Sequence, residues 1–510
     1  MALEMNIVDR DVTATTEAGA RSQTAFAPGD VIANFVGGAE VVPAEGRVLP
    51  VTNPATGKRV RDVVLSDADD VDAAVAAARS AQREWAATSL AGRAAVMYDV
   101  RDALRRHLDD LAAVVVEENG KTFEDARGEI KRGLESIEYA CGLPTNLQGG
   151  YSAEVARGVD VHSTREPIGV VGCITPFNFP VMVPLWMLAN ALACGNAAIV
   201  KPSEKDPGPT VMLARILTNA GVPAGVLNVV NGEAAAVNAL LAHPGVAGVS
   251  FVGSTPIARH VYENGTATGK RVQALGGAKN HMVVTEAADL DAAARAAVGA
   301  AYGAGGERCM AVSVLVAVGD EVADGLVGRI RTLADGVSVG PGNEAGVDFG
   351  PLITLEHRDR VASYLDAGTE AGAEIVVDGR SHPLYTRDGY FIGPSLVDRV
   401  RPEMSVYTDE IFGPVLAVVR VRTLDEAIGL VNDNPYGNGA AIFTRDGREA
   451  REFQTSTNIG MIGVNVPIPV PVGWFSFGGW KASLFGDSHM YGDDGVRFFT
   501  RQRVVTSRWA

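Results

Sequence analysis

The sequence predicts an α/β protein of two or three packed domains, built on parallel sheets wound with helices, and three observations carry that expectation. A chain of 510 residues with 47% hydrophobic and 21% charged side chains is too long for one core. From Ile168 onward, short β-rich runs alternate with helical periodicity, the pattern of βα units in a doubly wound sheet. A second block of the same kind begins near His281.

The elements follow in order. The first thirty residues mix Glu4, Asp9, Arg10, Asp11 and Glu17 with Ala and Thr; they lack the unbroken apolar core of a secretory signal and are expected to form a loose tail. Segments 70–88 and 91–120 read as amphipathic helices packed on the first sheet, with no chemistry of their own. Residues 168–174 read as a buried strand, 181–194 as a helix and 197–201 as the next strand. A helix over 209–221 stops at Gly221, followed by a strand over 226–230, a helix over 234–243 and a strand over 249–252 whose Gly253-Ser254-Thr255 opens a further helix. No charged residue falls between Ile168 and Val200, a length that could span a membrane, but Pro176, Pro180, Pro184 and Gly195-Asn196 break the run into strand, loop and helix. In the second block a helix is expected over 290–305, a strand over 312–318 and a helix over 321–336. The run 496–509 alternates apolar and basic residues in strand fashion and needs a neighbour to cover its edge, which points to oligomerisation.

Composition excludes several classes of partner. A net charge of -16 repels phosphate backbones and anionic membranes, and no Lys/Arg cluster marks a nucleic-acid face. Cys141, Cys173, Cys194 and Cys309 are too few for a disulfide scaffold, and none share a CxxC spacing that would hold zinc, so no metal is expected and a reducing cytosol is the expected compartment.

A nucleophilic cysteine should have a lowered thiol pKa, cationic neighbours and access for substrate. Cys309, after Arg308 and 303-GAGGE-307, meets that description best; the other three cysteines sit in apolar or turn contexts. Locally, a structural cysteine fits equally well. No GxGxxG turn opens a strand, since 303-GAGG-306 lies on the wrong side of a helix, so any nucleotide must be held another way.

The ordered motifs 175-TPFNFP-180, 201-KPSEKDP-207, 251-FVGST-255, 275-LGGAKN-280, 305-GGERCMA-311 and 410-EIFGPVL-416 resemble those of the aldehyde dehydrogenase superfamily across nearly the whole chain. The forms GERCMA, GAKNH and 464-VNVPIPVPVG-473 look more narrowly like the CoA-acylating methylmalonate-semialdehyde dehydrogenases. The resemblance implies a Rossmann-like NAD-binding domain over 29–150 and 166–280, an α/β catalytic domain over 281–480, and a small β oligomerisation element from 151–165 and 487–510, behind a flexible tail of 1–28. It implies Cys309 as nucleophile, with its backbone N–H and the Asn178 amide as oxyanion hole. For NAD it implies Thr175, Phe177, Lys201, Glu204, Lys205, Ser254 at a helix N-terminus near the pyrophosphate, and Glu410 on the nicotinamide ribose. Glu204 would repel a 2′-phosphate and so favours NAD over NADP. Arg132 and Arg308 match positions used for a substrate carboxylate, which guanidinium suits; the plainer readings are a helix-surface arginine and a salt-bridged one.

Hydrolytic members of the superfamily place a Glu directly before LGG to activate water, where this chain has Ala274. A thioester on Cys309 would then wait for a better nucleophile, the CoA thiol. The expected activity is NAD-dependent oxidation of malonate or methylmalonate semialdehyde with decarboxylation, to acetyl-CoA or propionyl-CoA, by a cytoplasmic homotetramer. The alternatives are a hydrolytic dehydrogenase acting on another semialdehyde and a non-catalytic binding protein that kept the fold. His281 reads as a structural histidine, 467-PIPVP-471 as a rigid loop near the site, and Trp474, Phe475, Phe477 and Trp480 as a packing cluster in reach of substrate. Lys481 and Asp487 carry no assignment.

Overall fold

The computed structural model describes residues 26–27, 29–43 and 46–509; the expected tail, but for Phe26 and Ala27, lies outside the described residues. Among the described residues are two α/β bodies, a small antiparallel sheet, a three-stranded sheet of Val31–Ile32, Lys58–Leu65 and Arg47–Asn53, and a two-stranded pairing of Tyr436–Gly437 with Trp480–Lys481.

The first body is an eight-stranded sheet whose parallel centre runs, in spatial order, Arg271–Leu275, Val246–Val252, Val170–Ile174, Ala197–Lys201, Leu227–Val229. The chain winds from Val170–Ile174 to one side for two strands and then returns to its other side, so the order reverses between Val170–Ile174 and Val246–Val252. Ligands of doubly wound sheets bind where carboxyl ends of strands diverge at such a reversal. Antiparallel strands close both margins: Leu484–Phe485 beside Arg271–Leu275, and Asn34–Val36 with Ala39–Val41 beside Leu227–Val229. Sequence patterning had no strand at either place; both are two or three residues long, too short for a period to show.

The charge-free stretch folds as expected from its prolines. Every residue of helix Met182–Ala193 is buried between strands Val170–Ile174 and Ala197–Lys201 and the helices over them. No helix among the described residues is long and apolar enough to cross a membrane. The long amphipathic segment 91–120 divides at His107 into Leu90–Arg106 and Leu108–Asn119.

The second body is a seven-stranded sheet in the order Glu374–Val377, Ser395–Asp398, Val415–Val421, Val312–Val318, Asn280–Val284, Gly439–Phe443, Met461–Val464, parallel except at its first pair. Its helix Leu290–Tyr302 ends three residues earlier than the sequence suggests, because Ala304 and Gly305 turn to positive φ and lead the chain toward Cys309.

The C-terminal run departs from its reading. Residues Gly492–Phe499 form a helix, with Val496, Phe498 and Phe499 buried against helix Met182–Ala193, and the strand begins only at Thr500. An amphipathic helix turn and an alternating strand place apolar residues alike over four positions, so the pattern could not separate them. Strand Thr500–Arg508 pairs with Val159–Pro167, which pairs with Tyr151–Ala156, a three-stranded sheet with Tyr151, Val155 and Val504 exposed. The aromatic cluster also divides: Phe477 is buried against Trp186 and Tyr491, whereas Trp474, Phe475 and Trp480 are 60%, 64% and 46% exposed and do not pack.

Candidate active site

The loop after strand Val170–Ile174 delivers Asn178 to the gap between the two bodies, and its backbone is held from below. Asn119 Nδ2 donates to the Phe177 carbonyl at 3.0 Å and Lys121 Nζ to the Asn178 carbonyl at 2.6 Å. Glu129 Oε1 accepts from the N–H groups of Val181 and Met182, which opens the buried helix. These supports lie at the end of one N-terminal helix and the start of the next, so the N-terminal helices do contribute to the site. The motif 119-NGK-121 was the available signal.

The Asn178 amide donates to the Glu307 carbonyl at 3.0 Å. One of its two hydrogens is thereby fixed, and the other is left for a second acceptor. Cys309, two residues past Glu307, is partly exposed and stands between a cleft and a smaller pocket. A cleft of about 670 Å³ runs from Cys309 past Asn178, Phe177, Glu410 and Lys205 to Ser254. A pocket of about 260 Å³ on the other side is lined by Cys309, Arg308, Arg132, Trp186, Ile468 and Val470, so the rigid proline-rich loop does border it.

The Cys309 thiol is not acidified in this setting. Burial, and then the Glu410 carboxylate, push the Cys309 thiol up to about 12, while Arg308 opposes weakly. At neutral pH it is a thiol, and it must give up its proton to become the attacking thiolate as substrate arrives. Cys173 and Cys194 are likewise pushed up to about 12, by burial foremost.

In the cleft, Ser254 caps the N-terminus of helix Thr255–Ala267 by position, yet its hydroxyl makes no capping bond. The helix therefore presents unsatisfied N–H groups beside an exposed Ser254, which fits a phosphate. Glu410 Oε1 accepts from the Ala278 N–H at 2.9 Å, and Lys279 Nζ donates to the carbonyls of Val406 and Asp409, fixing the segment that presents Glu410. Burial draws the Lys279 amine down to about 7. Lys201, buried at its strand end, donates to the Gly232 carbonyl at 3.0 Å and stands 3.6 Å from Glu204; Thr175 joins it by backbone pairing. These three do not border the cavity that holds Cys309, whereas Lys205 does, its Nζ lying 5.0 Å from the Phe177 ring centre.

In the smaller pocket Arg132 and Arg308 meet, each with an acidic partner. Arg132 Nη1 binds Glu135 at 2.7 Å while its Nη2 donates to the carbonyls of Val470 and Pro471; Arg308 Nη2 binds Asp125 at 2.5 Å. His281 is buried with its Nε2 3.0 Å from the Tyr407 hydroxyl, a structural place. Lys481 donates to the carbonyls of Val431, Asn432 and Asn434 and pins that turn.

A thiol between a nucleotide-shaped cleft and an arginine-lined pocket, at the junction of two α/β bodies, is the arrangement of one enzyme family. Residues 41–505 match the aldehyde dehydrogenase family, and the chain belongs to it. It is 53% identical to a malonate-semialdehyde dehydrogenase of Pseudomonas aeruginosa, over 92% of this chain and 95% of that one. Among solved structures, one from Sinorhizobium meliloti, described as a methylmalonate-semialdehyde dehydrogenase complexed with NAD, is 49% identical with a TM-score of 0.93, covering 94% of this chain and 98% of the other. A methylmalonate-semialdehyde dehydrogenase from Oceanimonas doudoroffii matches with the same identity and TM-score over 94% and 99% of the two chains.

Proposed function

We propose that the chain oxidises malonate semialdehyde or methylmalonate semialdehyde with NAD and transfers the acyl group to coenzyme A, with loss of carbon dioxide, giving acetyl-CoA or propionyl-CoA. The observation that carries this reading is that Cys309 shares a pocket with Arg308 and Arg132 on one side and a cleft with Glu410 and Ser254 on the other. Its balance is one semialdehyde, one CoA thiol and one NAD in; one acyl-CoA, one carbon dioxide and one NADH out.

Cys309 Sγ adds to the aldehyde carbon. The oxyanion that forms is met by the unspent hydrogen of the Asn178 amide and by the Cys309 N–H; one such donor is worth about 2.7–4 kcal/mol. NAD, when bound, supplies the acceptor for the hydride leaving that carbon. Ser254 and its helix would hold the pyrophosphate, Glu410 the nicotinamide ribose, and Lys201 with Glu204, beside Thr175, the adenosine ribose, while Phe177 and Lys205 wall the cleft. Arg308 and Arg132 take the substrate carboxylate. Ala274, buried in strand Arg271–Leu275, puts no carboxylate before the LGG turn, so the Cys309 thioester passes to the CoA thiol instead of water.

The same reading takes the protein as a cytosolic homotetramer, with the outlying three-stranded sheet as its assembly element; the exposed Tyr151, Val155 and Val504 support it. NADH formation from a panel of aldehydes, with and without CoA, tests the reading. It stands if malonate or methylmalonate semialdehyde is turned over and CoA is required for sustained turnover; equal turnover without CoA removes the acyl-transfer half.

A further inference from the structure

Arg308 is held from two directions. Its Nη2 donates to Asp125 Oδ1 at 2.5 Å, in an ion pair whose side chains are 24% and 23% exposed. On its other side the guanidinium lies against Gly303, where an added Cβ would stand 2.5 Å from Nη1, 2.9 Å from Cζ and 3.0 Å from Nη2. Gly303 has φ -55° and ψ 138°, which any residue adopts. Backbone geometry therefore does not demand glycine there; the guanidinium does.

Asp125 is itself fixed. It is the third residue of helix Phe123–Cys141, and its N–H donates to the hydroxyl of the capping Thr122 at 3.1 Å. Among the described residues, the Nε and Nη1 groups of Arg308 have no hydrogen-bond acceptor, so donors remain after Asp125 is served. An arginine already held in place has less freedom to lose when a ligand binds, and its pose defines where a carboxylate can sit.

We propose that Asp125 and Gly303 are positioning residues that hold Arg308 beside Cys309 and so set the preference for an aldehyde bearing a carboxylate. This rests on the reading of Arg308 as a carboxylate ligand. Asp125 acts through the hydrogen bond it accepts more than through its charge, since that charge opposes a second carboxylate on the same guanidinium. Gly303 acts by leaving the space that the guanidinium fills.

The test is the ratio of kcat/KM for malonate semialdehyde to that for propanal, on the full chain with saturating NAD and CoA, in Gly303→Ala, Asp125→Ala, Asp125→Asn and Arg308→Met. Gly303→Ala and Asp125→Ala should each lower the ratio about tenfold or more through a higher KM for the semialdehyde, while Asp125→Asn, which keeps the acceptor, stays within about threefold of wild type. If Arg308→Met leaves the ratio intact, the carboxylate role of Arg308 fails. If Arg308→Met collapses the ratio but Gly303→Ala and Asp125→Ala preserve it, or reduce both aldehydes equally, the positioning role is overturned.

Discussion

The Asn280 side-chain amide donates to the Cys309 carbonyl at 3.0 Å and to the Ala311 carbonyl at 2.9 Å, while its oxygen accepts from the Gly439 N–H at 3.0 Å. Asn438 adds a second donor to the Cys309 carbonyl at 3.1 Å. The thiol-bearing residue thus hangs from two amides, one at the start of strand Asn280–Val284 and one just before Gly439–Phe443. Together with the Asn178–Glu307 bond, these contacts fix both flanks of Cys309.

Asn280→Ala should therefore cost stability and rate together. Two carbonyls and one N–H lose a partner, at about 1–3 kcal/mol for a group left buried and unsatisfied. Thermal unfolding should begin several degrees lower, and kcat should fall more than the KM for NAD rises, because Asn280 bonds the thiol segment and not Glu410. A variant with wild-type melting and kcat contradicts this account.

The elevated thiol predicts how Cys309 reacts in the NAD-free enzyme. With the group pushed up to about 12, the thiolate fraction rises with pH throughout the neutral and mildly alkaline range. Iodoacetamide alkylation of Cys309 should accelerate about tenfold per pH unit from pH 7 to 10, with no plateau. Glu410 is the second cause of the elevation, so Glu410→Gln should speed alkylation at pH 8 by roughly threefold to tenfold. A plateau near neutrality, or slower alkylation in that variant, would show that the thiol is already ionised at rest.

What was legible in the sequence is tied to local pattern. Strands 197–201 and 312–318 were readable to the residue because each is a short, mostly apolar run between clear breaks. Cys309, Asn178 and Glu410, which line one cleft, were singled out because they sit in short motifs. Asp125 was not, since an acidic residue in a first helical turn is ordinary and its partner lies 183 residues away. Gly303 was hidden among neighbouring glycines for the same reason: what it makes room for is set by tertiary contact. Sequence shows the Arg308 beside the Cys309 thiol but neither the burial nor Glu410, which push that thiol up.

Glu307 gives a pH signature in stability. Its carboxyl accepts from the Ile353 N–H at 3.2 Å and lies 3.5 Å from His357 Nε2. Burial lifts Glu307 to about 8 and draws His357 down to about 4, so at neutral pH the pair is a carboxylic acid beside a neutral imidazole. In the unfolded chain this carboxyl titrates at about 4.3. Between those two values the folded state binds the extra proton on Glu307, so this group's contribution to stability falls as pH rises, by up to roughly 1.4 kcal/mol per pH unit, and levels off above about 8, while His357, neutral in the folded state, contributes the opposite slope below about 6.5. Glu307→Gln stays neutral at every pH. Its unfolding midpoint should match wild type near pH 5 and exceed it increasingly up to about pH 8–9; a difference that does not change with pH contradicts the burial of a protonated Glu307.

Gly277 tests the proposed role of Glu410 without altering Glu410 itself. A Cβ at this position would stand 2.2 Å from Glu410 Oε2, so the carboxylate occupies the space that a side chain would take. Gly277 shows no positive φ, and alanine is compatible with its backbone. Gly277→Ala must therefore displace the Glu410 carboxylate or strain its bond to Ala278, while the charge and the Lys279 anchors remain. Hydrogen bonds to a charged group contribute about 1.5–3 kcal/mol, so the KM for NAD should rise tenfold or more. Glu410→Ala should reproduce that rise, and combining the two substitutions should add little, because both remove the same contact. Isothermal titration of NAD into the single and double variants checks the non-additivity directly: fully additive losses would mean that Gly277 acts on NAD by a route other than Glu410.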